Sequence, residues 1–84
     1  MMKKTYEVDL SNNKDTDELR IELFKTLKEI RQEKELTQSK AGERIRMSRM
    51  DYSKHESGQR YKINKFIEMA RALGVCKIVL ERDG

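Results

Sequence analysis

The sequence predicts a small, mainly α protein: a bundle of four to five helices followed by a short C-terminal β-strand. Apolar residues recur at three- to four-residue spacing over most of the chain, which is the helical period. Residues that cap helices well stand before these segments, and glycines follow two of them. The last apolar segment is short and rich in β-branched residues, which favours a strand. The 84 residues are enough for one such domain.

Residues 1–16 lack the helical period and are predicted to form an N-terminal arm or strand. Within them, Thr5 to Leu10 alternates between polar and apolar residues, with Tyr6, Val8 and Leu10 on one face. The alternative for this segment is a frayed terminus.

The first predicted helix covers about residues 17–34 and is amphipathic. A side chain that can cap its first turn stands at Asp15, Thr16 or Asp17. Its apolar stripe, at helical spacing, comprises Leu19, Leu23, Leu27 and Ile30, with Phe24 beside it. The opposite face is charged, and we interpret it as a solvated surface rather than a binding site.

Two short helices and a longer one follow. Thr37 caps the second helix, which closes near Ile45, and Ser48 caps the third, which ends at Gly58. The fourth helix stops at Gly74 and carries an apolar stripe of Ile63, Phe66, Ile67, Ala70 and Leu73.

Residues 37–60 have the layout of a helix-turn-helix, in which the second short helix lies in a DNA major groove. Seven residues of this stretch fall in one register: Gln38, Gly42, Ile45, Ser48, Tyr52, Glu56 and Gly58. With them the sequence resembles the Xre/Cro–phage repressor family over about residues 19–75. The resemblance implies a lambda-repressor-like fold and a DNA-binding domain over residues 17–74. The alternative is a helical hairpin without a DNA role.

Four residues depart from the family pattern: Ala41, Tyr52, Arg46 and His55. Ala41 and Gly42 are small where two helices cross, and we expect them to make room for the unusually large Tyr52. Arg46 replaces the glycine that the family prefers in the turn, so it needs a positive φ unless the turn is rebuilt. His55 replaces an apolar residue and is predicted to be a half-buried packing residue, with a pH switch as the alternative.

The resemblance also implies which side chains meet DNA. Residues at the exposed start of the third helix, and one turn on, would contact base edges: Arg49, Met50, Asp51, Ser53 and Lys54. Residues that border the same surface would contact phosphates: Gln38, Arg46, Ser48, Gln59, Arg60 and Lys62. Arg31 and Glu56 match family positions that form an ion pair between the first and third helices.

Two residues of this surface have alternative roles. Asp51 can accept a hydrogen bond from cytosine, or it can neutralise Arg49 or Lys54. Tyr61 can donate to a phosphate, or it can pack on the fourth helix.

Residues 75–84 are predicted to form a strand that needs a partner, because an isolated strand leaves its backbone groups unpaired. Pairing with the same strand of a second subunit would make a homodimer through Val75, Cys76, Ile78 and Leu80. Such a dimer resembles the DNA-binding antitoxins, especially HipB-like ones. Pairing with Thr5–Leu10 is a second solution, both can hold in a four-stranded dimer sheet, and a packed loop is the remaining alternative.

Composition narrows the class of protein further. The net charge of +4 suits a polyanionic partner such as double-stranded DNA. One cysteine and one histidine allow neither an intrachain disulfide nor a zinc site, and we expect no cofactor. No apolar run follows the lysines near the N-terminus, and none elsewhere is long enough to span a membrane. We therefore expect no signal peptide and a cytoplasmic location.

Two classes of function follow from these patterns. The first is a homodimeric, sequence-specific transcriptional repressor on a palindromic operator, either as the antitoxin of a toxin–antitoxin pair or as a mobile-element or phage repressor. The second is a protein-interaction module whose main role is to neutralise a toxin protein. An enzyme is not expected, because no catalytic group of residues is present.

Overall fold

The computed structural model describes residues 3–11 and 13–84, and this part of the chain contains four α-helices. The helices are α1 (Thr16–Glu33), α2 (Gln38–Glu43), α3 (Arg49–Glu56) and α4 (Ile63–Ala72). The prediction of a mainly α fold is confirmed, and the ends of all four helices agree with it to within two residues. Residues 1, 2 and 12 of the predicted N-terminal arm lie outside the described residues.

Local chemistry sets the ends of these helices. Asp15, Thr37 and Ser48 each accept the backbone N–H three residues later, at 2.8 to 3.1 Å. A cap of this kind stabilises a helix by about 1 kcal/mol. Gly58 and Gly74 follow α3 and α4 with φ of +83° and +82°, a conformation that side chains with a Cβ rarely adopt.

The helices enclose one core, but the buried faces of α1 and α4 are rotated from the predicted stripes. On α1, Phe24, Leu27 and Ile30 are buried, whereas Leu23 is 38% exposed. The buried apolar residues of α4 are Met69 and Ala70, joined by the following Leu73, while Ile63 and Ile67 are exposed. The other helices cover one side of α4, so an apolar stripe this wide keeps an uncovered margin.

The predicted C-terminal strand is wrong for the single chain. Residues 75–81 are irregular, and the described part of the chain contains no strand. The tail is held to α4 instead, because the Val75 N–H donates to the Ala70 carbonyl at 3.0 Å. Beyond Val75 the side chains are exposed, up to 92% at Leu80.

The predicted pairing of the tail with residues Thr5–Leu10 is also wrong. The arm lies against the end of α1, where Lys4 Nζ is 2.7 Å from a Glu33 carboxylate oxygen and the Tyr6 hydroxyl donates to the other. These hydrogen bonds lower the pKa of Glu33. Because side chains hold the arm to a helix, neither terminal segment supplies a strand edge for the other.

Candidate nucleic-acid interface

The turn between α2 and α3 brings two backbone segments unusually close. A Cβ on Gly42 would lie 2.5 Å from the Met47 carbonyl oxygen, closer than real Cβ atoms come to any backbone atom. The Met47 N–H donates to the Gly42 carbonyl at 2.9 Å, which closes the turn. The atoms nearest to that Cβ belong to Met47 and Ser48, so the turn itself requires a glycine here, and room for Tyr52 beside Ala41 and Gly42 stays a prediction.

Arg46 has a φ of +54°, so the turn keeps the left-handed residue for which the family prefers glycine. The prediction of a positive φ at Arg46 is confirmed. A second left-handed residue, Glu35 with φ +56°, joins α1 to α2 and was not predicted. Neither glycine nor asparagine stands there, so the sequence carries no signal for it.

A buried ion pair ties the helices together behind this turn. Arg31 of α1 donates to Glu56 of α3 through Nε at 2.7 Å and Nη2 at 3.0 Å. Arg31 Nη1 also donates to the Leu36 carbonyl at 2.7 Å, and Gln38 Nε2 donates to Glu56 at 3.0 Å. The hydrogen bonds to Glu56 raise the pKa of Arg31. One carboxylate thus fixes the orientation of α1, α2 and α3 relative to one another.

The rest of the inner side of α3 is buried as well. His55 is only 2% exposed, more deeply placed than predicted, with Nδ1 2.9 Å from the Asp51 carbonyl oxygen and its ring beside Phe24. The Tyr52 hydroxyl is buried without a hydrogen-bond partner among the described residues. Burial, with a contribution from the negative charge of Glu56, raises the pKa of Tyr52 to about 12.

The outer side of α3 is uncovered. Arg49 is exposed and Met50 is 68% exposed, and in the described part of the chain no group holds either side chain. Ser53 and Lys54 lie one turn further on and are half-buried. Arg49 and Met50 are therefore free to meet another molecule, while Ser53 and Lys54 are only partly accessible.

Asp51, the fifth residue predicted to contact a base, is engaged within the chain. Its carboxylate is 2.5 Å from Arg60 Nη1 and 3.4 Å from His55 Nδ1. The prediction that Asp51 neutralises Arg49 or Lys54 is therefore wrong. Asp51 pairs instead with an arginine from the loop after α3.

The residues predicted to contact phosphates differ in whether their side chains already have partners within the chain. The side chains of Gln38, Ser48 and Arg60 already have partners in Glu56, the Asp51 N–H and the Asp51 carboxylate, respectively. Arg46, Gln59 and Lys62 are exposed. Arg46, Gln59, Arg60 and Lys62 thus lie in the two loops that flank α3, and Ser48 caps that helix. Gln38, at the start of α2, contacts α3 through Glu56.

Arg20 is a site residue that sequence reasoning missed. Its guanidinium stacks on the Tyr61 ring, 4.4 Å from the centroid, and donates to the Gly58 carbonyl, which fixes the loop after α3. Neither predicted role for Tyr61 includes this contact. A signal existed, because Arg20 precedes the buried Phe24 and Leu27 at helical spacing and so lies on the buried face of α1.

Comparison with known proteins identifies this architecture. A family model described as helix-turn-helix, of the Xre/Cro type, matches residues 27–79, well over half of the chain. No curated protein and no solved structure matches. No helix in residues 3–11 and 13–84 is both long and apolar enough to cross a membrane. The matched family is a DNA-binding regulatory family rather than an enzymatic one. The chain therefore belongs to the Xre/Cro-type helix-turn-helix family.

Proposed function

We propose that this protein is a transcriptional repressor that binds a palindromic operator as a homodimer. The observation that carries the proposal is the contrast across α3. Its inner side is fixed by the pair of Arg31 and Glu56, while its outer side exposes Arg49 and Met50. A rigid helix with one uncovered, cation-bearing side suits entry into a major groove.

The uncovered side chains suit base recognition. The Arg49 guanidinium can donate two hydrogen bonds to a guanine, and Met50 can contact a thymine methyl group. Lys54, one turn further on, can reach a base or a phosphate. The exposed Arg46, Gln59 and Lys62 at the edges suit phosphate contacts, which set affinity and register rather than sequence preference.

The C-terminal tail supports a homodimer. Ile78, Val79 and Leu80 are exposed in succession, and residues 75–81 have no ladder partner in the described part of the chain. Pairing of two tails across a twofold axis would bury these side chains and satisfy the backbone. Such a dimer would present two copies of α3 to half-sites about one helical turn, roughly 34–36 Å, apart.

An electrophoretic shift with the DNA upstream of its own gene tests this function. We expect a shifted species that contains two chains and weakens steeply as salt rises, because phosphate contacts release counterions. Arg49→Ala should reduce the preference for operator over mismatched duplexes, whereas Lys62→Ala, which removes an exposed cation at the edge of this surface, should weaken binding to all duplexes alike. Lys28→Ala, on the exposed face of α1, is the control for loss of one positive charge.

Two results would contradict the proposal. Binding that is equally strong for every duplex would show that the protein does not recognise a particular operator. An equal loss for every duplex in Arg49→Ala would remove that residue from the set that contacts bases.

The second candidate function is that of an antitoxin, which adds toxin neutralisation to DNA binding. The exposed apolar side chain of Leu10 favours it, because this residue lies in a terminal segment outside the four helices and outside the tail proposed to form the dimer. Co-expression with the neighbouring reading frame tests it. Rescue of growth, together with a stable complex of the two proteins, is the expected outcome, and a neighbour that is harmless alone would exclude it.

A further inference from the structure

The loop after α3 is fastened to the helix that it follows. The backbone N–H groups of Gln59 and Arg60 both donate to the Lys54 carbonyl, at 2.9 and 3.1 Å. Arg20 holds the preceding Gly58 carbonyl from the side of α1. The backbone of Arg60 is therefore fixed relative to α3, even though it lies outside the helix.

The side chain of Arg60 is fixed as well. Its Nη1 is 2.5 Å from the Asp51 carboxylate, and Asp51 is held by its helical position and by the approach of His55 at 3.4 Å. The Arg60 side chain remains 51% exposed. Its Nε and Nη2 have no partner in the described part of the chain, so one edge of the guanidinium still offers donors.

We propose that Asp51 and Arg60 act as one unit, in which Asp51 orients the guanidinium and Arg60 contacts a guanine. This rests on the DNA-binding function proposed above. It reassigns both residues, because Asp51 was expected to contact a base and Arg60 a phosphate. Asp51 becomes a positioning residue that does not itself contact DNA.

The chemistry favours a guanine over a phosphate. A guanidinium with a carboxylate beside it is partly neutralised, and that carboxylate repels an approaching phosphate. The O6 and N7 edge of guanine is uncharged and requires a planar pair of donors in a fixed direction. An arginine fixed at both its backbone and one terminal nitrogen supplies such a pair with little further loss of conformational freedom.

The position of the pair also suits this role. Asp51 lies in the first turn of α3, next to Met50 and two residues from Arg49. A guanidinium held at Asp51 therefore lies at the same end of α3 as these two exposed side chains. The sequence preference of the protein would then depend partly on an arginine that lies outside α3.

Selection from a random duplex pool tests the unit and requires no operator sequence in advance. The pool has a random centre of about 20 base pairs, enough for two half-sites one helical turn apart. Wild type, Arg60→Ala, Asp51→Asn and the double variant are compared for base preference at each position. We expect Arg60→Ala to reduce a guanine preference at one position of each half-site by about 10- to 100-fold. Asp51→Asn should reduce the same preference, and the double variant should lose no more than Arg60→Ala.

Two further variants separate positioning from charge and from folding. Arg60→Lys keeps the charge but loses the planar donor pair, so it should lose the guanine preference and keep the salt dependence of the wild type. Lys28→Ala should change neither. Circular dichroism and thermal unfolding of each variant show whether the helices remain intact.

Three outcomes would overturn the proposal. If Arg60→Ala weakens every duplex alike and lowers the salt slope by about 1, Arg60 contacts a phosphate. If Asp51→Asn alters a different position from Arg60→Ala, Asp51 contacts a base itself. If Arg49→Ala changes the selected sequence and Arg60→Ala does not, the repressor function stands and this inference fails. Selection of no duplex by the wild type would instead refute the repressor function itself, and the inference with it.

Discussion

The two sides of α3 differ in how their side chains are satisfied. On the inner side, the Glu56 carboxylate is buried and accepts hydrogen bonds from Arg31 and Gln38. On the outer side, Arg49 and Met50 are exposed and unheld in the described part of the chain. One eight-residue helix thus carries buried contacts that hold the fold and the exposed side chains of the proposed recognition surface. Substitutions on the inner side of α3 should therefore alter folding, and substitutions on its outer side should alter only binding.

The largest expected effect is at Glu56. Glu56→Ala leaves the Arg31 guanidinium buried without its carboxylate and should lower the free energy of unfolding by about 3–5 kcal/mol. Urea unfolding measured by circular dichroism gives this value. Glu43→Ala, whose exposed carboxylate lies 3.8 Å from Lys40, is the control and should change stability by less than about 0.5 kcal/mol. Similar losses of stability in Glu56→Ala and Glu43→Ala would show that the buried ion pair contributes no more to folding than an exposed one.

The next effect is a dependence on pH at Tyr52. The pKa of Tyr52 is raised to about 12 in the folded chain, so the unfolded chain loses this proton first, near its ordinary pKa of 10. Stability is therefore full below pH 10 and falls as the pH rises from 10 to 12, by up to about 3 kcal/mol.

Tyr52→Phe isolates this contribution. The stability of the variant should not show the decrease between pH 10 and 12 that Tyr52 causes. Near neutral pH the variant should be about 1 kcal/mol more stable than the wild type, because the buried hydroxyl has no hydrogen-bond partner among the described residues. Unfolding curves of the two proteins at matched pH values measure the difference. Parallel curves up to pH 12 would show that the hydroxyl is not buried as described.

A smaller effect is expected at Gly42, on the turn that aims α3. Alanine gains about 1 kcal/mol over glycine in a helix, but its Cβ would meet the Met47 carbonyl oxygen at 2.5 Å. The steric term should win because backbone must move, with a net loss of about 1–3 kcal/mol. Ser39→Ala, at an exposed position of α2, is the matched control, and a gain of stability in both variants would contradict the close approach.

The smallest effect on stability is expected on the outer side. Arg49→Ala and Met50→Ala should each change the free energy of unfolding by less than about 0.5 kcal/mol, because both side chains are exposed and unheld in the described part of the chain. Thermal unfolding beside a binding titration separates the two properties. A loss of stability comparable to that of Glu56→Ala would show that the outer side is structural as well.

Features that depend on a few neighbouring residues could be predicted from the sequence. The caps at Thr37 and Ser48 and the glycine after α3 follow from local backbone chemistry, whereas the left-handed Arg46 follows from the resemblance to the family's turn. Helix ends were accordingly close to their observed positions.

Features that depend on packing could not be predicted in this way. The sequence pattern assigns the apolar stripe of α4 to five residues, of which Ala70 and Leu73 are buried but Ile63 and Ile67 are exposed. Met69 lies in the core instead, because the placement of neighbouring helices decides which side is covered. The partners of Asp51 and Arg20 lie in the loop after α3, and its path over the helices is not encoded in spacing. The strand prediction rested on composition, which gives a preference but not a pairing partner.

Arg46 has a consequence for attempts to make this protein more heat-resistant. A left-handed arginine costs roughly 1–2 kcal/mol that a glycine would avoid, so Arg46→Gly is an obvious stabilising substitution. The same substitution removes an exposed cation from the edge of the proposed operator-binding surface. A higher melting temperature gained by a substitution at this position would therefore be expected to come with weaker binding to the operator.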